Sequence, residues 1–140
     1  MPNWCDNYLR VFGDKEEITR FREKAEAVVD GVETALSLNN LHPLPKELEG
    51  TESTEKNNWY DWQIQNWGTK WDVEAVLEEE GEDYLNYSFD SAWTPPIAWL
   101  KKVSADFPTL RFVLKYDEEG MGFFGRAIAQ NGEVDDKWIE

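Results

Sequence analysis

Cysteine and histidine each occur once in the 140 residues, at Cys5 and His42. A lone cysteine excludes an intramolecular disulfide and fits a reducing compartment. It also leaves no Cys–His spacing for a structural zinc. Cations are scarce: 14 Lys and Arg stand against 29 Asp and Glu, a net charge of −15. That balance disfavours a grip on phosphate backbones, which requires cations to displace counterions. It favours basic protein partners. No apolar run approaches the roughly 18 residues that suggest a membrane span. Met1-Pro2-Asn3-Trp4 offers neither a basic segment nor an apolar stretch, so no signal peptide is expected and the cytoplasm is the expected location.

Catalytic signatures are missing as well. His42 lies in a proline-bound loop. Cys5 has no basic neighbour or helix N-terminus to lower its pKa. Gly122-Phe123-Phe124-Gly125 reads as a strand with close backbone approach, not as a nucleotide-binding loop. Acidic pairs such as Asp61 and Asp72 carry little information in a chain with 29 acids. No enzyme activity, metal or cofactor is expected.

Tryptophan is what the chain has in excess. There are eight, six of them between Trp59 and Trp99. Indoles fill cores and also build binding platforms, since each offers a wide apolar face and one N–H donor.

Hydrophobic periodicity organises the chain as one domain, residues 1–140. Residues 4–12 alternate as a strand, with Cys5, Leu9 and Val11 on one face and Trp4, Tyr8, Arg10 and Phe12 on the other. Asp14 is a good N-cap, with Glu17 placed as in a capping box. Ile18, Phe21, Ala25 and Val28 then recur at helical spacing until Asp30-Gly31. Residues 32–70 form an irregular insertion: an extended piece through Leu36, Leu38 and Leu41, the proline-bound 42–45, a polar loop at 49–58 and a short helix at 59–67. Strands are predicted at 71–79 and 84–92. Thr94 is expected to cap a helix with Pro95 at its first position. Strands at 110–116 and 122–129 follow, and a polar, acidic tail closes the chain. The order β-α-insertion-β-β-α-β-β predicts an α+β, ferredoxin-like sandwich: an antiparallel sheet, two helices on one face and one extra C-terminal strand.

"MPNWCDNYLRVFG" at the start, "HPLP" at 42–45, "NWGTKWD" at 66–72, "AWTPP" at 92–96 and the glycine-bearing C-terminal hairpin occur in that order. Together they resemble the YubB ferredoxin-like family, small proteins typical of conjugative plasmids and phages. The resemblance implies the same fold and a mobile-element setting. It brings no catalytic residues.

"NWGTKWD" has a structural reading. Gly68 permits a positive φ, Trp67 and Trp71 enter the core on either side, and Asn66 and Asp72 hold backbone N–H groups. Lys70 lies over an indole or pairs with Asp72. On this reading the insertion covers the sheet face opposite the helices. The same residues also allow a binding surface: Asn3, Trp4 and Asn7 from the first strand would meet Asn66, Trp67, Gly68, Thr69, Lys70, Trp71, Asp72, Trp93 and Thr94. The expected function is a non-enzymatic interaction module that takes a basic protein partner through an acidic, Trp-rich surface, including the run 78–83. The alternative is a binder of single-stranded nucleic acid or nucleotides on an aromatic sheet face. It ranks second because Lys15, Arg20, Arg22 and Lys24 are interleaved with Glu and form no basic stripe.

Overall fold

A computed structural model describes residues 3–140; Met1 and Pro2, the first two residues of the N-terminal motif, lie outside the described residues. Strand β1 runs Trp4–Phe12 and helix α1 runs Lys15–Ala25. Asp14 caps α1, its Oδ1 accepting from the Glu16 and Glu17 amides. Glu17 turns instead to Arg20 at 2.9 Å, so the cap is one-sided.

The insertion departs most from expectation. Helix α1 stops at Ala25, and Ala27–Val29 (β2) pairs with Val32–Thr34 (β3) as a small hairpin. Val28 therefore leaves the helical stripe and stands exposed. Asp30 and Gly31 both take positive φ, 51° and 79°, which is the tight hairpin turn that an Asp-Gly pair favours. Leu38–Leu41 forms a one-turn helix, α2, where an extended piece was expected. Helix α3, Trp59–Asn66, follows the polar loop and is capped by the Asn58 side chain.

Strands β4 (Ala75–Glu80) and β5 (Tyr84–Ala92) form a hairpin, then come helix α4 (Ile97–Asp106) and strands β6 (Arg111–Glu118), β7 (Phe123–Gln130) and β8 (Glu133–Ile139). The six long strands order as β4-β5-β1-β6-β7-β8, each antiparallel to its neighbour. The first four are the ferredoxin-like sheet. β7 is the extra strand expected, and the polar tail adds β8 beyond it. Thr94 does not cap α4. The cap position is Pro96, without a side-chain bond, and the Thr94 hydroxyl goes to the Gly68 carbonyl at 2.5 Å.

One face of the sheet meets the helices. Leu9, Val11, Leu85, Tyr87, Phe112 and Leu114 pack there against Phe21, Leu100, Val103 and Phe107. Phe21 sits edge-on to Tyr87, Phe107 and Phe112, an arrangement that adds to area burial. The insertion joins this helical layer and does not cover the opposite face. Trp67 and Trp99 are buried with Leu38, and their indole N–H groups donate to the His42 and Leu38 carbonyls at 2.8 and 3.1 Å. The opposite face stays open.

Candidate functional site

Residues 66–72 lead the chain from the helical layer around the end of the sheet. The Trp67 and Gly68 amides both bond to the Gln63 carbonyl and close α3. Gly68 has φ +84°, and a Cβ there would lie 3.2 Å from the Ile97 amide nitrogen, so only glycine fits easily. Thr69 is fully buried and donates to the Ala92 carbonyl at 2.8 Å. The Gln63 side-chain amide holds the Lys70 carbonyl. The Lys70 ammonium lies 4.6 Å from the Trp71 ring centre and 5.7 Å from that of Tyr60.

Asp72 is not paired with Lys70. Its carboxylate accepts from the Ser37 hydroxyl at 2.7 Å and from the Leu38 and Asn39 amides at 2.6 and 3.2 Å. It thus anchors α2 from a distant part of the chain, and this holds residues 71–74 out of the sheet; β4 begins only at Ala75. Asn66 donates to the Trp62 carbonyl. Asn7 is buried, and its amide bridges the Cys5 carbonyl and the Ser91 hydroxyl, which donates onward to the Thr94 carbonyl. Trp67, Thr69, Asp72 and Asn7 are therefore held in structural roles, closed off from solvent or engaged by the backbone.

The remaining predicted residues divide between two surfaces. Trp71 does not enter the core. It is 37% exposed and meets Trp4, 47% exposed, with ring centres 6.2 Å apart and planes tilted by 41°. Asn3 sits beside them, its carbonyl accepting from the Trp93 amide. This pair stands at one end of the open sheet face. The next row of that face is acidic: Asp90, Asp6 and Asp117 lie side by side on β5, β1 and β6. Burial and the facing Asp6 carboxyl raise the pKa of Asp90. One row further, Tyr8 is followed by Lys115, Arg126 and Lys137 across β6, β7 and β8. The open face thus carries an exposed aromatic end, a carboxylate row and a cationic row in sequence.

Trp93, Thr94, Gly68 and Lys70 lie on the helical side. They line a cleft of about 890 Å³ with Tyr60, Ile64, Ile97, Lys101, Phe123, Val134 and Trp138. Its walls are mostly apolar, a volume and lining suited to a bulky apolar group. Trp93 holds a left-handed conformation, φ 68°, which turns it outward at the mouth of the cleft. On the floor the Tyr116 hydroxyl donates to Asp136, and Gly125 leaves room for it: a Cβ there would lie 2.5 Å from that oxygen. Burial, then the Asp136 bond, raises the Tyr116 pKa.

The family model for the ferredoxin-like domain in Api92-like protein matches residues 66–140. The chain belongs to this Api92-like family. The crystal structure of protein Api92 from Yersinia pseudotuberculosis is similar over 100% of this chain and 99% of its own, with a TM-score of 0.76 and 12% identity. At that identity the likeness is one of fold. No curated protein matches the chain significantly.

The Api92-like match begins at Asn66, so the Trp motif, the 92–96 loop and every strand from β4 to β8 fall within it. Trp4, Asp6 and Tyr8 lie before it but share its sheet. Cys5 is buried, and burial, the largest influence, pushes its thiol pKa up to about 12. Burial likewise lowers the pKa of His42, whose ring stacks on Trp62 at 5.0 Å. Sequence reasoning missed Asp90, Asp117 and the Lys115–Arg126–Lys137 row. Their signal was present: each occupies the outward parity of its strand, and only the register brings them into rows.

Proposed function

We propose that this Api92-like protein is a non-enzymatic, cytoplasmic interaction module that captures a basic segment of a protein partner on its open sheet face. The observation that carries this is the Trp4–Trp71 pair beside the Asp90–Asp6–Asp117 row. A Lys or Arg side chain can lie over an exposed indole, worth about 0.5–1 kcal/mol at such sites, while pairing with an adjacent carboxylate. Three carboxylates side by side repel one another in the free protein, and an incoming cation relieves that repulsion. The net charge steers a basic partner toward the molecule.

The run 78–83 supports the reading less than the row does. Glu78 accepts from Ser88, Glu79 from Tyr84 and Glu80 from Arg22, and Glu82 lies 3.8 Å from Lys15. Those acids serve the β4–β5 hairpin and its contact with α1. The resemblance to YubB proteins adds a plasmid or phage setting, in which an acidic surface that imitates phosphate spacing would occupy a host DNA-binding protein.

Affinity capture from host lysate at low and high salt tests this, with Trp4→Ala and Asp6→Asn beside wild type. A DNA-binding protein retained at low salt, released at high salt and lost with either folded variant supports it. Retention indifferent to molar salt contradicts it. A second reading rests on Tyr8 and the Lys115–Arg126–Lys137 row, which together suit a stacked base and its phosphates. Binding of a single-stranded oligonucleotide, lost with Arg126→Ala, would favour that reading.

A further inference from the structure

The two edges of the sheet are finished differently. On β4 the Ala75 amide donates to the Thr34 hydroxyl at 2.7 Å, and the Ala75 carbonyl accepts from the Ala35 amide at 3.0 Å. A register shift between Leu77 and Glu79 breaks the same edge. Cover, bulges and edge charges are among the ways sheets prevent edge pairing. β8 has charges but neither cover nor a bulge. It pairs with β7 in unbroken register over seven residues, and its other side has no strand beside it among the described residues. It also exposes two large apolar side chains, Trp138 at 58% and Ile139 at 62%. A straight, partly apolar, open edge is a pairing surface.

We propose that β8 is a dimer edge: two copies pair β8 with β8, antiparallel, about a two-fold axis perpendicular to the sheet. Such an axis keeps the two faces distinct, so only residues of like parity can oppose each other. Centred on Asp136, the pairing sets Asp135 of each copy opposite Lys137 of the other, on the open face. On the helical side it sets Val134 opposite Trp138. Moving the centre to residue 135 places Glu133 opposite Lys137 but Val134 against Asp136. Moving it to 137 places Asp136 against Trp138. Each of these registers sets one charged residue opposite its own copy; only the one centred on Asp136 also pairs Asp135 with Lys137 and Val134 with Trp138, and it places Glu133 opposite Ile139. In that register the partner's Trp138 comes beside the open flank of the cleft. Within one chain Asp135 and Lys137 are only 3.8 Å neighbours at an exposed site, so both are free to pair across the axis.

This inference goes beyond partner capture and does not depend on it, because the Trp4–Trp71 pair lies three strands away from β8. Sedimentation equilibrium on the full chain tests it. Wild type is expected to be a dimer. Asp135→Lys, which opposes two lysines, and Lys137→Asp, which opposes two aspartates, should each weaken it at least about tenfold. The combined Asp135→Lys/Lys137→Asp protein restores opposite charges and should dimerise as wild type does. A monomeric wild type, a dimer indifferent to the single swaps, or a double swap that stays monomeric overturns the proposal.

Discussion

Asp6 stands directly opposite Asp90 across the β1–β5 pair, on the open face of the sheet. Desolvation, followed by the Asp6 contact, raises the Asp90 pKa above its ordinary 3.8. A raised carboxyl contributes its full stability below the unfolded-state value and loses it as pH rises through the folded-state value. Asp6→Asn should therefore stabilise the protein at neutral pH, by about 0.2–1 kcal/mol. The gain should shrink as pH falls into the carboxylate range. Urea unfolding of both proteins at neutral and acidic pH measures this, and a constant difference across pH contradicts it.

Gly68 follows α3 with a left-handed backbone and packs tightly against the start of α4, where a Cβ would lie 3.2 Å from the Ile97 amide nitrogen. Gly68→Ala should cost about 1–3 kcal/mol, read as a lower urea midpoint with unchanged slope. An equal midpoint would show that the turn relaxes freely.

Asp72 holds the start of α2 through two backbone amides and a hydroxyl. Asp72→Ala should destabilise by about 0.5–2 kcal/mol, the usual range for a lost cap. Faster hydrogen exchange at Leu38 and Asn39 should accompany the loss. Unchanged exchange there would remove the anchoring role.

Cys5 is fully buried, and its thiol is pushed up to about 12. Labelling with a thiol reagent at pH 8 should proceed only through unfolding, at a rate that rises with urea. Rapid stoichiometric labelling of the native protein would contradict this burial.

The regular strands and helices were legible because their periods were clean. β1 and β5 have the bounds their alternation gives. Two hairpins were not read, and both carry the same turn signal. Asp30-Gly31 reads equally as a helix stop, since Val28 fits the spacing of α1 as well as that of a strand. Asn131-Gly132 also takes two positive φ values, 50° and 80°, and opens β8. There the alternation is hidden by charge: Glu133, Asp135 and Lys137 face solvent while Val134 faces the helical layer. The Trp motif was legible in part. Gly68, Trp67 and the Lys70 contact with an indole follow from residue chemistry. The escape of Trp71 to the open face does not, because it depends on Asp72 being drawn away by α2, which no local pattern reveals. The rows of like charge depend on strand register and are invisible in a linear reading.

Capture of a basic segment at the Trp4–Trp71 pair can be measured by titrating the protein with a Lys- and Arg-rich peptide at low and high salt, following indole fluorescence. Wild type should bind at low salt and weaken at least about tenfold at high salt. Trp4→Ala and Asp6→Asn/Asp117→Asn, both folded, should bind several-fold more weakly. Equal binding by wild type and both variants, or affinity unchanged by salt, would contradict a partner site on this face.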